Sequence, residues 1–174
     1  MKLNTRFFVI TGLILLAILT RLLPHLPNFT AASAVALFGA TYYDRKIMAF
    51  VVPLVAVFIS DLLLSGLYRG MEWVYFSYIA IAGLGFLLRK KVTIFRVAGF
   101  SVLSSLCIYV ISDFGVWLGT LYPHTWEGFI ACYVAALPFL RNWMLSDLVY
   151  GGLLFGAFYV AELKFPTLIK QSVK

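Results

Sequence analysis

Apolar residues run along this chain in seven long stretches, and short polar or charged clusters separate them. Strict alternation is absent, so the stretches read as helices and not as barrel strands. The pattern predicts membrane-length helices over 6–23, 46–67, 72–88, 93–118 and 141–163, and a shorter one over 30–43. A further apolar run, 129–140, is about twelve residues. At 1.5 Å per residue it cannot cross ~30 Å of hydrocarbon, so it is expected to lie in the interface or re-enter. The separators are a Pro-rich hairpin (Pro24-His25-Leu26-Pro27-Asn28-Phe29-Thr30), Asp44-Arg45-Lys46, Tyr68-Arg69-Gly70-Met71, Arg89-Lys90-Lys91, and a polar-aromatic loop over 119–128. The expected fold is therefore an all-α integral membrane protein. It is one transmembrane domain over 1–174, with six spanning helices and a short interfacial or re-entrant helix before the last span.

Composition supports this solvent assignment. The 174 residues are 63% hydrophobic and 12% charged, whereas a soluble domain is about a quarter charged. In lipid every backbone polar group must be paired internally, which leaves helices or closed barrels. The two cysteines, Cys107 and Cys132, lie in apolar stretches and have no metal-ligand spacing. The first stretch follows Lys2 and Arg6 but lacks a small-residue cleavage site before Arg21 and Pro24. It is expected to be a retained signal anchor.

Net charge is +7. Nucleic acid is not the expected partner, because the basic residues have a topological use. With the N-terminus inside and an even number of spans, eleven of the fourteen Lys and Arg residues fall on the inner side. Only Arg21, Arg69 and Arg141 fall outside. This positive-inside bias places both termini in the cytoplasm of a multi-pass protein of a bacterial inner membrane.

On that topology the ionisable residues at hydrocarbon depth all lie in the outer half. Asp61 is about 9 Å short of the outer end of its helix. Asp113 is near the outer end of the next outward span, Arg141 opens the last helix, and Asp147 follows a turn and a half in. Intramembrane charges usually face a bundle interior or a cavity. One-sided polarity suggests a cup, open outside and sealed inside. Trp73, Tyr75, Tyr78, Trp117, Tyr122, Trp126, Trp143 and Tyr150 gather at the same level. They read either as an interfacial belt or as walls for a flat ligand. The candidate ligand-binding residues are His25, Asn28, Asp61, Tyr78, Asp113, Trp117, Arg141 and Asp147. Asp61 with Arg21 or Arg141 reads equally as a plain interhelix ion pair, and Asp147 as packing glue. The sequence holds no nucleophile elbow, His-Glu-x-x-His or phosphate loop, so no catalytic residue, cofactor or metal is expected. Ala32, Ala36 and Ala40 form a small-residue ridge that reads as a docking surface or as internal packing.

The layout resembles the substrate-binding S components of energy-coupling-factor (ECF) vitamin transporters. The segments Arg21-Leu22-Leu23-Pro24-His25-Leu26-Pro27-Asn28-Phe29-Thr30, Ala36-Leu37-Phe38-Gly39-Ala40, Ser60-Asp61-Leu62, Asp113-Phe114-Gly115-Val116-Trp117 and Pro138-Phe139-Leu140-Arg141-Asn142 resemble an uncharacterised bacterial family related to the solitary cobalamin S components. That resemblance implies vitamin uptake, a small vitamin-like ligand with a corrinoid among the candidates, and docking on a transmembrane coupling subunit served by ATPase subunits. It implies His25, Asp61, Tyr78 and Arg141 in the pocket. One departure keeps the substrate open. The cobalamin type uses a cysteine near the start of helix 4, where this chain reads Trp73-Val74-Tyr75-Phe76-Ser77-Tyr78. The competing readings are a scaffold of the cell envelope with the same kind of fold, and a membrane enzyme using Asp61, Asp113 or His25 as acid or base.

The charge bias generates a direct test. In a background lacking Cys107 and Cys132, an impermeant thiol reagent applied from outside should label a cysteine placed at Thr125 and spare one placed at Lys90. Labelling at position 90 alone would invert the topology.

Overall fold

The computed structural model describes residues 5–169, and these form helices and no strands. Six α-helices follow one another: α1 (Thr5–Leu19), α2 (Ala32–Tyr42), α3 (Lys46–Leu64), α4 (Met71–Leu88), α5 (Ile94–Leu118) and α6 (Trp126–Lys164). A 3-10 turn, Thr20–Leu22, prolongs α1, and another, Pro166–Leu168, follows α6. Counting the turn after α1, five of the helices are long and apolar enough to cross a membrane. Leu15, Leu16, Leu63, Phe95, Leu153 and Leu163 lie on their outer faces and are exposed. An apolar exterior of this kind needs lipid as its solvent, so the chain is a multi-pass membrane protein.

Contacts sort the helix ends into two groups. At one end Arg6 of α1 pairs with Glu162 of α6 at 2.9 Å. There too Arg89, after α4, reaches the end of α2, and the Thr11 hydroxyl meets that of Tyr43 at 2.7 Å. At the other end Arg21 meets Asp61 of α3, and Asn142 of α6 donates to the Pro27 carbonyl at 2.9 Å. Among the described residues the first end carries eight Lys and Arg against Asp44 and Glu162. The second carries three against Asp61, Glu72, Asp113, Glu127 and Asp147. The basic and acidic ends anticipated from the sequence are therefore separate in space. Lys2, Lys170 and Lys174 lie outside the described residues.

α2 is the hub. Its eleven residues are about 16 Å long, too short to span the hydrocarbon. It packs against α1, α3, α4, α5 and α6, and every residue from Ala31 to Thr41 is buried. Ala32, Ala36 and Ala40 are 1%, 2% and 0% exposed. The ridge is internal packing and presents nothing to a partner. Small residues are needed there because the helices touch backbone to backbone. A Cβ added at Gly85 of α4 would stand 2.6 Å from the Ala40 Cβ and 2.7 Å from the Leu37 carbonyl oxygen. Gly39 likewise faces the ring of Pro53 on α3.

The run 129–140 is not a separate element. It joins the last predicted span in one helix of 39 residues, Trp126–Lys164, about 58 Å long. Arg141 and Asn142 resembled a boundary but are tolerated in a helix. Pro138 removes one ladder bond without ending the helix, as transmembrane helices allow. Ser105 of α5 meets Asp147, and eight residues further on Asp113 meets Cys132, fifteen residues back along α6. α6 thus leaves the line of α5 across this stretch, and Pro138 accounts for the bend.

Substitution of the two α4 glycines separates tight packing from propensity. Gly85→Ala should lower stability by ~1–3 kcal/mol, the usual cost of overpacking, because a backbone carbonyl cannot move aside. Gly83→Ala, where a Cβ meets nothing within 4 Å, should leave stability unchanged or slightly raised. Thermal unfolding of both variants in detergent checks this.

Candidate functional site

The acidic end holds two polar clusters that share one wall. In the first, the Arg21 guanidinium donates to Asp61 Oδ1 at 2.7 Å and to the Ser60 hydroxyl. The Tyr75 hydroxyl donates to Asp61 Oδ2 at 2.9 Å. The Arg21 and Asp61 side chains are 12% and 5% exposed, so this is a buried pair joining the end of α1 to α3 and α4. Its local cause is the 3-10 turn that swings Arg21 off the end of α1. Tyr68, in the α3–α4 loop, faces the same charges. Partial burial, with the Asp61 carboxylate adding to it, pushes its hydroxyl up to about 12, so it stays a neutral donor.

The second cluster centres on Asp147, 1% exposed. The Ser105 hydroxyl of α5 donates to Asp147 Oδ2 at 2.7 Å. The backbone amide of Ala34, in the first turn of α2, also acts on this carboxylate. A carboxylate facing a helix N-terminus complements its dipole and its free N–H groups. α2 needs that help, since its own N-cap is Ala31 and has no side-chain cap. Oδ1 of Asp147 and the hydroxyl of Ser101, one turn away on α5, have no hydrogen-bond partner among the described residues. Tyr78, buried with its ring against Tyr75 at 5.6 Å between centroids, lies between the two clusters.

Arg21 and Asp61 are thus brought together, and Tyr78 and Asp147 sit close behind them. Asp113 is buried on the α5–α6 side, with Oδ2 unpartnered, next to Cys132 and Tyr133. His25 and Arg141 join neither cluster. His25 is exposed, with Nδ1 2.6 Å from the Leu23 carbonyl oxygen. Arg141 is exposed and has no ion-pair or hydrogen-bond partner among the described residues. The common depth of Arg21, Asp61, Asp147 and Arg141 predicts a single cluster, but only Arg21 and Asp61 meet; Asp147 lies in the second cluster and Arg141 in neither. Its place on α6 is one residue before Asn142, whose amide holds the Pro27 carbonyl. The hairpin bearing His25 and Asn28 is thereby pinned beside Arg141. Asn28 takes a left-handed backbone, φ 61°, which asparagine tolerates better than most residues.

The aromatics mostly pack on one another. Trp73 fills the space above Gly115 and meets Phe114 at 5.4 Å. Trp117 meets Phe129 at 5.4 Å and donates Nε1–H to the Pro123 carbonyl. Trp126 stacks on Phe129. They brace the tips of α4, α5 and α6.

A model of a family of unknown function, DUF6580, matches residues 1–168. The chain belongs to the DUF6580 family. No curated protein and no solved structure matches it.

Sequence reasoning missed Tyr75, Ser60 and Ser105 as polar partners in this DUF6580 protein. The signal for Ser105 was available, because Ser101, Ser104, Ser105 and Ser112 recur at helical spacing on α5 and all four are buried. Arg6 and Arg89 counted only toward topology. In the fold Arg6 pairs with Glu162 and stacks over Phe158, and Arg89 donates to the carbonyls of Ala40, Thr41 and Tyr43.

The buried pair predicts a sharp asymmetry between breaking and replacing it. Arg21→Met leaves the Asp61 carboxylate uncompensated and should cost ~3–5 kcal/mol. The double variant Arg21→Met/Asp61→Leu should recover most of that loss. Chemical denaturation in detergent of the parent, both single variants (Arg21→Met and Asp61→Leu) and the double variant measures the difference; additive losses would contradict the pairing.

Proposed function

We propose that this DUF6580 protein is a substrate-binding, S-component-like membrane subunit for uptake of a small vitamin-like metabolite bound at its acidic, outward end. The observation that supports it most is the free guanidinium of Arg141. It stands beside a rigid hairpin with His25 and Asn28, and neither Asp61 nor Asp147 neutralises it. An exposed cation within α6, with no acidic partner among the described residues, suits an anionic group of a ligand. Asp61, Tyr78 and Asp147 form the polar floor behind it, and Trp117 and Asp113 border the far side. The proposal includes six membrane crossings, both termini in the cytoplasm, and the non-helical segment 23–31 together with α2 serving as the second crossing. It also includes a transmembrane coupling subunit and ATPase subunits as partners, which would supply the energy for release inside.

One observation favours the scaffold reading. Both oxygens of Asp61 already have partners in Arg21 and Tyr75, as a structural group requires and a ligand contact does not.

The two readings separate by binding. A small molecule retained through purification should be identified by native mass spectrometry, and its affinity measured on variants. Arg141→Ala should weaken binding by roughly 30-fold or more, as loss of a charged contact costs ~2–5 kcal/mol. Trp126→Phe should change it little. If Arg141→Ala binds the retained molecule as tightly as the parent, the site assignment is wrong. Retention of a protein partner with no small molecule would replace this reading by the scaffold.

A further inference from the structure

At the basic end, on the opposite side of the molecule from the proposed ligand site, an open groove of about 360 Å³ runs between the start of α5 and the last third of α6. Its walls are Tyr42, Val97, Phe155 and Tyr159, and its floor is Gly152 and Gly156. A Cβ added at either glycine meets nothing within 4 Å, so the bundle does not use these glycines for its own packing. Val92, Thr93 and Ile94 close the basic end of the groove. Directly before them come Lys90 and Lys91, both exposed and without ion-pair partners among the described residues.

We propose that this groove holds one anionic phospholipid of the adjacent leaflet, an acyl chain on the glycine floor and the phosphate at the rim formed by Lys90, Lys91 and the first turn of α5. Charge complementarity selects this occupant. The end of the molecule around the groove carries eight basic residues against two acidic ones, and Glu162 is already paired with Arg6. The α5 N-terminus adds to the field. Thr93 accepts from the Arg96 amide, which leaves the amides of Ile94 and Phe95 directed at the rim. A phospholipid joins an apolar chain to an anion in one molecule, and this site places an apolar trough against a cationic lip in the same order. Basic pockets between helices on the cytoplasmic side recognise such headgroups. A second helix could lie on a Gly-x-x-x-Gly face, but it would leave the two lysines unpaired.

The test uses the full chain in detergent and in vesicles. Native mass spectrometry should find one phospholipid retained per chain, and phosphatidylglycerol should raise the melting temperature while phosphatidylcholine does not. Gly156→Leu, which fills the trough, should abolish both the retention and the shift. Gly83→Leu, at an open glycine of α4, is the folding control and should keep both. Lys90→Gln/Lys91→Gln should weaken phosphatidylglycerol binding roughly 25-fold, at about fivefold per lysine, while leaving neutral-lipid binding unchanged. Unchanged retention in Gly156→Leu and in the lysine variant would overturn the proposal. So would a change from dimer to monomer in Gly156→Leu with lipid retention intact, since a second copy would then be the occupant. Neither result bears on ligand binding at Arg141, so the two proposals fail separately.

Discussion

Everything in this bundle is arranged around a helix too short to stand alone. An isolated helix of eleven residues is marginal even in water, and in lipid its terminal N–H and C=O groups have no solvent to turn to. α2 is nevertheless buried on every side. Its first turn faces the Asp147 carboxylate of α6, and its last carbonyls accept from Arg89, which follows α4. The buried Asp147 carboxyl group answers free N–H groups at the N-terminus, and the cation at the C-terminus also complements the helix dipole, by up to ~2 kcal/mol in partly buried geometry. Two other helices therefore supply the caps that the α2 sequence lacks. Alanines and glycines then let the neighbours approach to backbone contact, where dispersion does the work that hydrophobic driving force cannot do in a membrane.

This requirement reassigns much of the intramembrane polarity. Asp147 reads from the sequence as a ligand wall, but its nearest task is holding the start of α2. Asp61 is occupied by Arg21 and Tyr75 and ties the end of α1 to α3 and α4. A buried charge must have a partner, and these partners come from the protein. Among the charged groups exposed at this end, Arg141 has no partner among the described residues. The polar cluster and the proposed binding surface are neighbours on the same end of the molecule, and the first positions the second.

The existence of the helices, several of their starts and the gathering of basic residues at one end were legible because length, hydropathy and charge are properties of segments. The starts of α3, α4 and α5 fall within one residue of their predicted places for that reason. What escaped were properties of pairs. Leu140-Arg141 reads as a boundary only while each half of α6 is measured separately against the bilayer. The alanine ridge reads as a surface only while α2 has no known neighbours. The sequence offers Arg21 and Arg141 equally as the partner of Asp61, and only the 3-10 turn after α1 decides for Arg21. Arg141 illustrates the limit most clearly. The sequence allows it as a partner of Asp61, and only the fold shows it exposed and outside that pair.

The bend of α6 connects these points. A straight helix would run beside α5 for its whole length and close the acidic end. Fifteen residues of α6 instead lie opposite eight of α5, and the surplus carries the Pro138 region away from the bundle. The Pro27 carbonyl meets α6 at Asn142, within that stretch. The chain can therefore enter the bundle there without regular structure, turning at Asn28, and become helical only at Ala32, close to Asp147. Pro138 thus explains how an irregular segment is accommodated at this depth. Arg141, one residue before Asn142, stays exposed beside that segment.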